Sequence, residues 1–546
     1  MGDDAPRTGD QAIKQAISRI NRPVYLVNMN GQIAVSDTGS VFIGDKEPPS
    51  DCLSYPLYAY IQPLLPQFMG DPAFKAAHGL KYAYVAGAMA NGITSVKMVE
   101  EMGKAGMIGF FGSAGLLPQD VEAAIDSLSS RMGGLAFGFN LIHSPNDPEL
   151  ENTIAALYLK RGVNRVCASA YLDLTLPLTY FRVKGIYRDN EGKIIIPNKI
   201  IGKISRREVA RKFLSPPPEK FLTQLLSQKM ITEQEAELAR LVPMADAISA
   251  EADSGGHTDN RPAIALLPTI IALRDEFAAK YRYDRPICVG LGGGIATPES
   301  AAAAFAMGAA YILTGSINQA CVEAGTSEAV RTMLAEAQQA DVTMAPAADM
   351  FEMGVKVQVL RRGTMFPQRA AKLYEFYSRH DRYEDIPEKH RAMIERDILK
   401  RSFEQEWEQT KKFFTQRDPR QVVRAEKDAK HKMALVFRSY LGQSSRWATR
   451  GEPSRKMDYQ IWCGPALGAF NEWAKGSFLE KPENRDVVTL AMNLLFGSCV
   501  VTRANWLRCQ LAAHGIALPS DAGKFLPTKL SDIKRIEEEN NDDNSC

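Results

Sequence analysis

The sequence predicts an α/β fold: a (β/α)8 TIM barrel with a small N-terminal β cap, insertions and a C-terminal helical domain. Two observations predict it. Between residues 82 and 315, eight short apolar runs alternate with helical stretches, the rhythm of strands buried on both faces and linked by crossover helices. They are YAYVAG (82–87), MIGFFG (107–112), LAFGFN (135–140), NRVCAS (164–169), IIGKIS (200–205), AISAEAD (247–253), PICVGLGG (286–293) and AAYILTG (309–315). The second observation is where glycine falls. The last two runs end in glycine-rich turns, the place where barrel enzymes often bind phosphate. The first run continues as VAGAMANG (85–92), which lacks the GxGxxG turn of an open doubly wound sheet.

The flanking segments follow in order. Residues 1–60 read as the N-terminal cap: VYLVN (24–28) and QIAVS (32–36) flank the turn signal NMNG, and Pro and Asp follow at 48–51. The barrel, residues 61–345, carries two insertions. Residues 181–199 read as a β-hairpin turning at DNEG. Residues 213–242 open on the breaker SPPP and contain the amphipathic helix KMITEQEAELARLV. After residue 345 no further strand is expected, and 346–530 read as a separate helical domain or lid. The tail 531–546 is acidic and polar and is expected to be disordered.

Composition narrows the function. Of the 546 residues 45% are hydrophobic and 24% charged, enough for a sizeable core. Sixty-six basic against 64 acidic residues leave a net charge of +2, so neither nucleic acid nor an anionic membrane is an expected partner. No run of about 18 apolar residues is found, and no spanning helix is expected. The start, MGDDAPRTGDQAIKQ, lacks the regions of a signal peptide. Met1-Gly2 resembles a myristoylation start, but the acidic context argues against it. The eight cysteines are scattered without zinc spacing, so no metal is expected, and they read as reduced core thiols of a cytoplasmic protein. There is no P-loop, HExxH or GxSxG. A homodimer is the expectation from frequency alone.

Five stretches carry candidate chemistry. In GLGGGIATPESAAAAFAMGAAYILTGS (290–316), Gly293 and Gly294 end one strand and Gly315 and Ser316 the next; glycine lets backbone N–H groups approach an anion. EADSGGHTDNRPA (251–263) places His257 behind Gly255 and Gly256 at a strand end, where an imidazole can move a proton near neutral pH. Asp253 and Asp259 are the expected residues to orient or charge it. The small residues of VAGAMANGITS (85–95), including Ala88 and Met89, leave room for a flat ring. Asn140 in FGFNLIHSP (137–145) is placed to hydrogen-bond a heterocycle edge. Lys203 within IIGKIS is costly to bury without an anionic partner.

At these residues the chain resembles the 2-nitropropane dioxygenase-like flavoproteins, a group that includes nitronate monooxygenases and one class of bacterial enoyl reductases. The shared pattern is a small-residue loop after the first strand, then DSGGH (253–257), GGGI (292–295) and TGS (314–316). Over nearly its full length it is similar, more particularly, to the PfaD family of trans-acting enoyl reductases of polyunsaturated fatty acid and polyketide synthases. AADMFEMGVKVQVLRRGTMFPQRA (347–370) and YQIWCGPALGAFNEWAKGS (459–477) carry that likeness. The resemblance implies FMN held without a covalent link, its phosphate on Gly293, Gly294, Gly315 and Ser316. Ala88, Met89 and Asn140 would lie by the ring and Lys203 by its polar edge. Gly255 and Gly256 would pass close to it, with His257 over the substrate. The insertions at 181–242 and the HTDNRP continuation depart from the simpler relatives and bear on the substrate pocket.

The implied reaction takes hydride from NADPH (or NADH) and reduces the 2,3 double bond of an enoyl thioester on an acyl carrier protein. The basic residues scattered through 417–456 read either as a docking face for that acidic carrier or as an ordinary solvated helical surface. The alternatives are a nitronate monooxygenase using FMN and oxygen, and a non-catalytic phosphate-ligand-binding subunit of a synthase complex.

Overall fold

The computed structural model describes residues 5–42, 44, 53–145 and 147–538. Met1-Gly2, the Pro and Asp at 48–51, Cys52 and the tail from 539 onward lie outside the described residues.

Eight parallel strands close into a barrel in sequence order. They are β1 (Tyr84–Ala86), β2 (Ile108–Phe111), β3 (Gly138–Ile142), β4 (Arg165–Ser169), β5 (Lys199–Ile204), β6 (Ala247–Glu251), β7 (Cys288–Gly292) and β8 (Ile312–Thr314). The predicted TIM barrel is therefore present. Its interior is filled by Val85, Phe110, Ile201, Leu313 and Tyr311. Phe74, from the helix Pro72–His78, closes the floor by stacking on Tyr311 at a centroid distance of 4.0 Å. Gly138 and Gly290 make room inside the wall: a Cβ there would lie 2.4 Å from Phe110 and 2.5 Å from Tyr311. A filled barrel with a plugged floor leaves the C-terminal ends of the strands as the open end.

The cap is a four-stranded antiparallel sheet, with strand Val24–Met29 paired to Gln32–Ser36 across Asn30 and Gly31. Both turn residues have positive φ, 54° and 83°, the hairpin geometry that NMNG signals. The first insertion is the expected hairpin, Tyr187–Arg188 with Ile194–Ile195, and the Asp189 carboxylate accepts N–H groups of Glu191 and Lys193 across its turn. The second is two helices, Glu219–Ser227 and Glu233–Ala239. Together the insertions bury a small core of their own around Ile186, Leu222, Leu225 and Ala236.

Two expectations need correction. Strands do not stop at 345: β9 (Val342–Pro346) pairs antiparallel with β10 (Lys356–Leu360), and Gly256–His257 adds to the other edge of β10. The missed signal is the alternation in KVQVL. The stretch 531–546 is not disordered throughout: Leu530–Glu538 is a helix with Ile533 fully buried, and the main-chain oxygen of Ile536 accepts the Asn21 amide. One helix is long and apolar enough by length and composition to cross a membrane. It is Val487–Ala512, and 89% of its most apolar window is buried against the rest of the molecule. Asn493, Ser498 and Arg503 interrupt the run of letters without lowering its mean hydropathy below that of a spanning segment.

Among the remaining C-terminal helices, α1 (Phe403–Arg417) and α2 (Ala429–Arg450) lie over the barrel mouth.

Candidate active site

A cavity of about 850 Å³ occupies the C-terminal end of the barrel, roofed by α1, α2 and the 459–466 loop. Every site residue read from the sequence borders it: Ala88, Met89, Asn140, Lys203, Gly255, Gly256, His257, Gly293, Gly294, Gly315 and Ser316.

The turns after β7 and β8 form one edge. Gly293 and Gly294 have φ of 83° and 77°, a conformation that side chains resist. A Cβ on Gly293 would also sit 2.7 Å from the Ala252 carbonyl. The N–H groups of Gly294, Gly315 and Ser316 find no acceptor within the described chain. A Cβ on Gly315 would meet nothing within 4 Å, so open space lies before these donors. Beneath them Thr314 is fixed by the Tyr84 hydroxyl at 2.7 Å and the Asn318 amide at 2.9 Å. Unpaired backbone donors around open space are what a phosphate group requires.

The loop after β1 is rigid. Thr94 donates to the Gly87 carbonyl at 2.7 Å and accepts from the Met89 N–H at 2.9 Å. The Asn91 amide donates to Ser445 of α2 at 2.8 Å, tying the roof to the barrel. Gly112 can be nothing else, since a Cβ there would fall 1.7 Å from the Met89 oxygen. Asn140 accepts from the Ser169 hydroxyl at 2.9 Å, which orients its amide NH2 as the group left to donate to a ligand. Lys203 has its anionic partner in the chain: Glu251 lies 2.7 Å away. Burial opposes the ammonium charge, but the Glu251 carboxylate outweighs it and holds the pKa above its ordinary value.

His257 is placed by the strand pairing of Gly256–His257 with β10. Its Nε2 lies 3.2 Å from Oδ1 of Asp349. Asp253 and Asp259 do not orient it, contrary to expectation. Asp253 accepts from Asn260 and Gln358, both at 2.8 Å. Asp259 is held by Arg206 and Ser205, which pull its pKa down to about 2. Burial works against a charged His257 ring. The hydrogen bond and charge of Asp349, with Glu251 behind, overcome it, so the pKa stands above the usual histidine value. Gly255 serves the roof: a Cβ there would lie 2.7 Å from the Cys463 nitrogen, and one on Gly464 would lie 2.9 Å from the Gly255 nitrogen. Two glycines let the GGH loop and the 459–466 loop cross backbone to backbone, and the Gly464 N–H reaches Ser316 Oγ at 3.1 Å.

Two features escaped the sequence reading. His143, just past β3, also borders the cavity and pairs with the buried Glu151. The roof presents Phe413, with the guanidinium groups of Arg417 and Arg446 lying 5.8 Å and 5.7 Å from its ring centre. In the basic stretch 417–456 many of the cations have partners within the chain. Arg420, Arg424, Lys430, Lys432, Arg438 and Arg455 are each paired with carboxylates of this chain. Arg417, which pairs with Asp147 at 3.6 Å, and Arg446 also border the cavity, and burial together with Arg417 and Arg450 lowers the pKa of Arg446.

Comparison with known proteins agrees with this architecture. Residues 380–459 match the inserted helical domain of [acyl-carrier-protein] S-malonyltransferase. The chain is 47% identical over 434 residues to polyketide biosynthesis protein PksE of Bacillus subtilis, covering 79% of this chain and 56% of that protein. It is 44% identical over 455 residues to a polyunsaturated fatty acid synthase subunit of a Thraustochytrium species, covering 82% of this chain and 30% of that protein. It thus spans between about a third and just over half the length of these relatives. The crystal structure of the enoyl reductase domain of MlnA, from the macrolactin cluster of Bacillus amyloliquefaciens, superposes with a TM-score of 0.76 at 40% identity, covering 82% of this chain and 99% of that domain. With that whole domain matched at this identity, the chain belongs to the PfaD-like enoyl reductase family.

Proposed function

We propose that this chain is an FMN-dependent enoyl reductase that uses NADPH or NADH to saturate the 2,3 double bond of enoyl thioesters. The substrate would arrive on an acyl carrier protein of a polyketide or polyunsaturated fatty acid synthase. The observation that carries this reading is one cavity holding both an unfilled cradle of backbone N–H groups and a histidine paired with a carboxylate that favours its charged form. The cradle fits the terminal phosphate of FMN. Ala88, Met89 and the Asn140 amide fit a flat heterocycle, and the Lys203 ammonium fits its polar edge. When bound, FMN supplies the hydride chemistry, taking a hydride from the nicotinamide and returning one to substrate Cβ.

The chain's own residues do the rest. Hydride arrival at Cβ pushes the alkene electron pair toward Cα and the thioester oxygen. His257 gives its proton to Cα, and the Asp349 carboxylate holds the ring in place and favours its charged form before transfer. The α1 and α2 roof excludes water from the barrel mouth. Arg417 and Arg446 flank Phe413 where a long substrate would enter, matched to a phosphate on the carrier arm. The likeness of 380–459 to a helical domain of an acyl-carrier-protein-dependent transferase supports a carrier-borne substrate.

The test is a pair of assays on the purified, FMN-loaded protein. Anaerobic consumption of NADPH with a carrier-bound 2-enoyl thioester, giving the saturated acyl product, is the expected result. Oxygen uptake with a nitronate and no enoyl reduction would favour a nitronate monooxygenase.

A further inference from the structure

We infer that His143, oriented by Glu151, donates a hydrogen bond to the thioester oxygen of the enoyl substrate as negative charge gathers there. The inference rests on the enoyl reductase reading and adds a second functional imidazole to it.

Glu151 stands in the first turn of the helix Pro148–Lys160, and its side chain is 3% exposed. A carboxylate so enclosed is costly unless its oxygens are satisfied. Four donors converge on it: His143 Nδ1 at 3.2 Å, the Tyr171 hydroxyl at 3.0 Å, the Thr175 hydroxyl, and the Ser144 N–H at 3.5 Å. The Tyr171 ring stacks on the imidazole with centroids 5.3 Å apart and planes at 27°. The His143 N–H donates to the Ser169 carbonyl at 3.0 Å, so the main chain is fixed as well. This leaves Nε2 with no partner among the described residues, on a ring that is 22% exposed and borders the cavity. A histidine that served only the core would have both nitrogens enclosed. This one commits Nδ1 to a buried carboxylate and opens Nε2 to the site.

Position favours a division of labour. His143 follows β3 and His257 follows β6, three strands apart around a closed barrel of eight, so the rings border the mouth from opposing sides. The free nitrogens are complementary: Asp349 occupies Nε2 of His257, and Glu151 occupies Nδ1 of His143. The reaction needs two donors. Hydride supplied by the reduced nicotinamide forms the Cβ–H bond, and the alkene pair shifts onto Cα and the thioester oxygen. His143, with Nδ1 committed to Glu151, stabilises that oxygen through Nε2–H and keeps its proton. The proton for Cα comes from His257, which solvent recharges, and the carbonyl re-forms.

The test uses His143→Ala and His143→Gln in the FMN-loaded protein. Anaerobic bleaching by NADPH is followed separately from reoxidation by a crotonyl thioester. Expected for His143→Ala is a reoxidation step slowed about 10²–10³-fold, the usual effect of losing one such donor, with bleaching within twofold of wild type. Glutamine, whose amide reaches about as far as Nε2, should recover part of the rate. Calorimetric binding of saturated butyryl-N-acetylcysteamine should change less than threefold, because the resting carbonyl carries little charge. Unchanged reoxidation in His143→Ala, equal slowing of both steps, or a binding loss that matches the rate loss would each overturn the inference while leaving the enoyl reductase reading intact. A wild-type protein that binds FMN but reduces no enoyl thioester would overturn that reading first, and this one with it.

Discussion

His257 and Asp349 meet at 3.2 Å across 92 residues of chain, because a two-residue strand at Gly256–His257 pairs with β10 and the turn before β10 carries the aspartate. The proposed acid is thus held by a segment outside the eight-stranded barrel. His257 must be protonated to act, so turnover should persist at low pH and fall as pH rises through its raised pKa. Asp349→Asn removes the group that raises it. The alkaline limb should move to lower pH and turnover at neutral pH should drop, with FMN still bound. His257→Ala should lose about 10²–10⁴-fold in the step that reduces the thioester. A pH–rate profile of both variants checks this.

Gly315 separates fold from phosphate binding. Its φ is negative and an added Cβ touches nothing within 4 Å, so Gly315→Ala should leave the fold intact, with an unfolding temperature close to that of the wild type. The methyl group would fill the space in front of the free N–H groups. FMN affinity should fall by tenfold or more, about 1.4 kcal/mol, while riboflavin, which has no phosphate, binds as before. Equilibrium titration of the apoprotein with each ligand measures both.

Gly464 tests the crossing of the two loops. A Cβ there would lie 2.9 Å from the Gly255 nitrogen and 3.0 Å from the Ser254 carbonyl carbon, and backbone cannot step aside cheaply. Gly464→Ala should cost about 1–3 kcal/mol of stability by overpacking. It should also slow thioester reduction by displacing the GGH loop. Urea unfolding followed by stopped-flow reduction would show both effects.

Arg417 and Arg446 should matter in proportion to the length of the substrate. Arg446→Glu is expected to raise KM for a carrier-bound enoyl thioester about tenfold and to leave KM for the short N-acetylcysteamine thioester unchanged. The difference should shrink with added salt, which screens exposed charges over about 10 Å at 0.1 M. Steady-state assays with the two substrates at two ionic strengths measure it.

Much of this was legible in the sequence, and the parts that were not have physical reasons. The barrel strands announced themselves because burial on both faces leaves continuous apolar runs. The glycines at 293, 294 and 315 stood out because they close two neighbouring strands. What sequence reading could not supply was which side chains meet across long separations. Asp253 and Asp259 were natural partners for His257 by proximity, yet Arg206 takes Asp259 and Gln358 takes Asp253. His143 lay within a stretch already noted, and its signal was present. Asp147 and Pro148 mark a helix start, and a glutamate at 151 in the first turn faces back to the strand end. For the basic run at 417–456, net charge along a sequence says nothing of direction or pairing: in the fold many of those cations meet carboxylates of their own chain, and Arg417 and Arg446 also border the cavity.

The most direct test of the account is an anaerobic visible spectrum of the purified protein through one catalytic cycle. Flavin bands should be present, bleach on addition of NADPH, and return on addition of an enoyl thioester in an amount equal to the saturated product formed. A colourless protein that FMN cannot reconstitute would contradict it, and so would a bleached flavin that only oxygen restores.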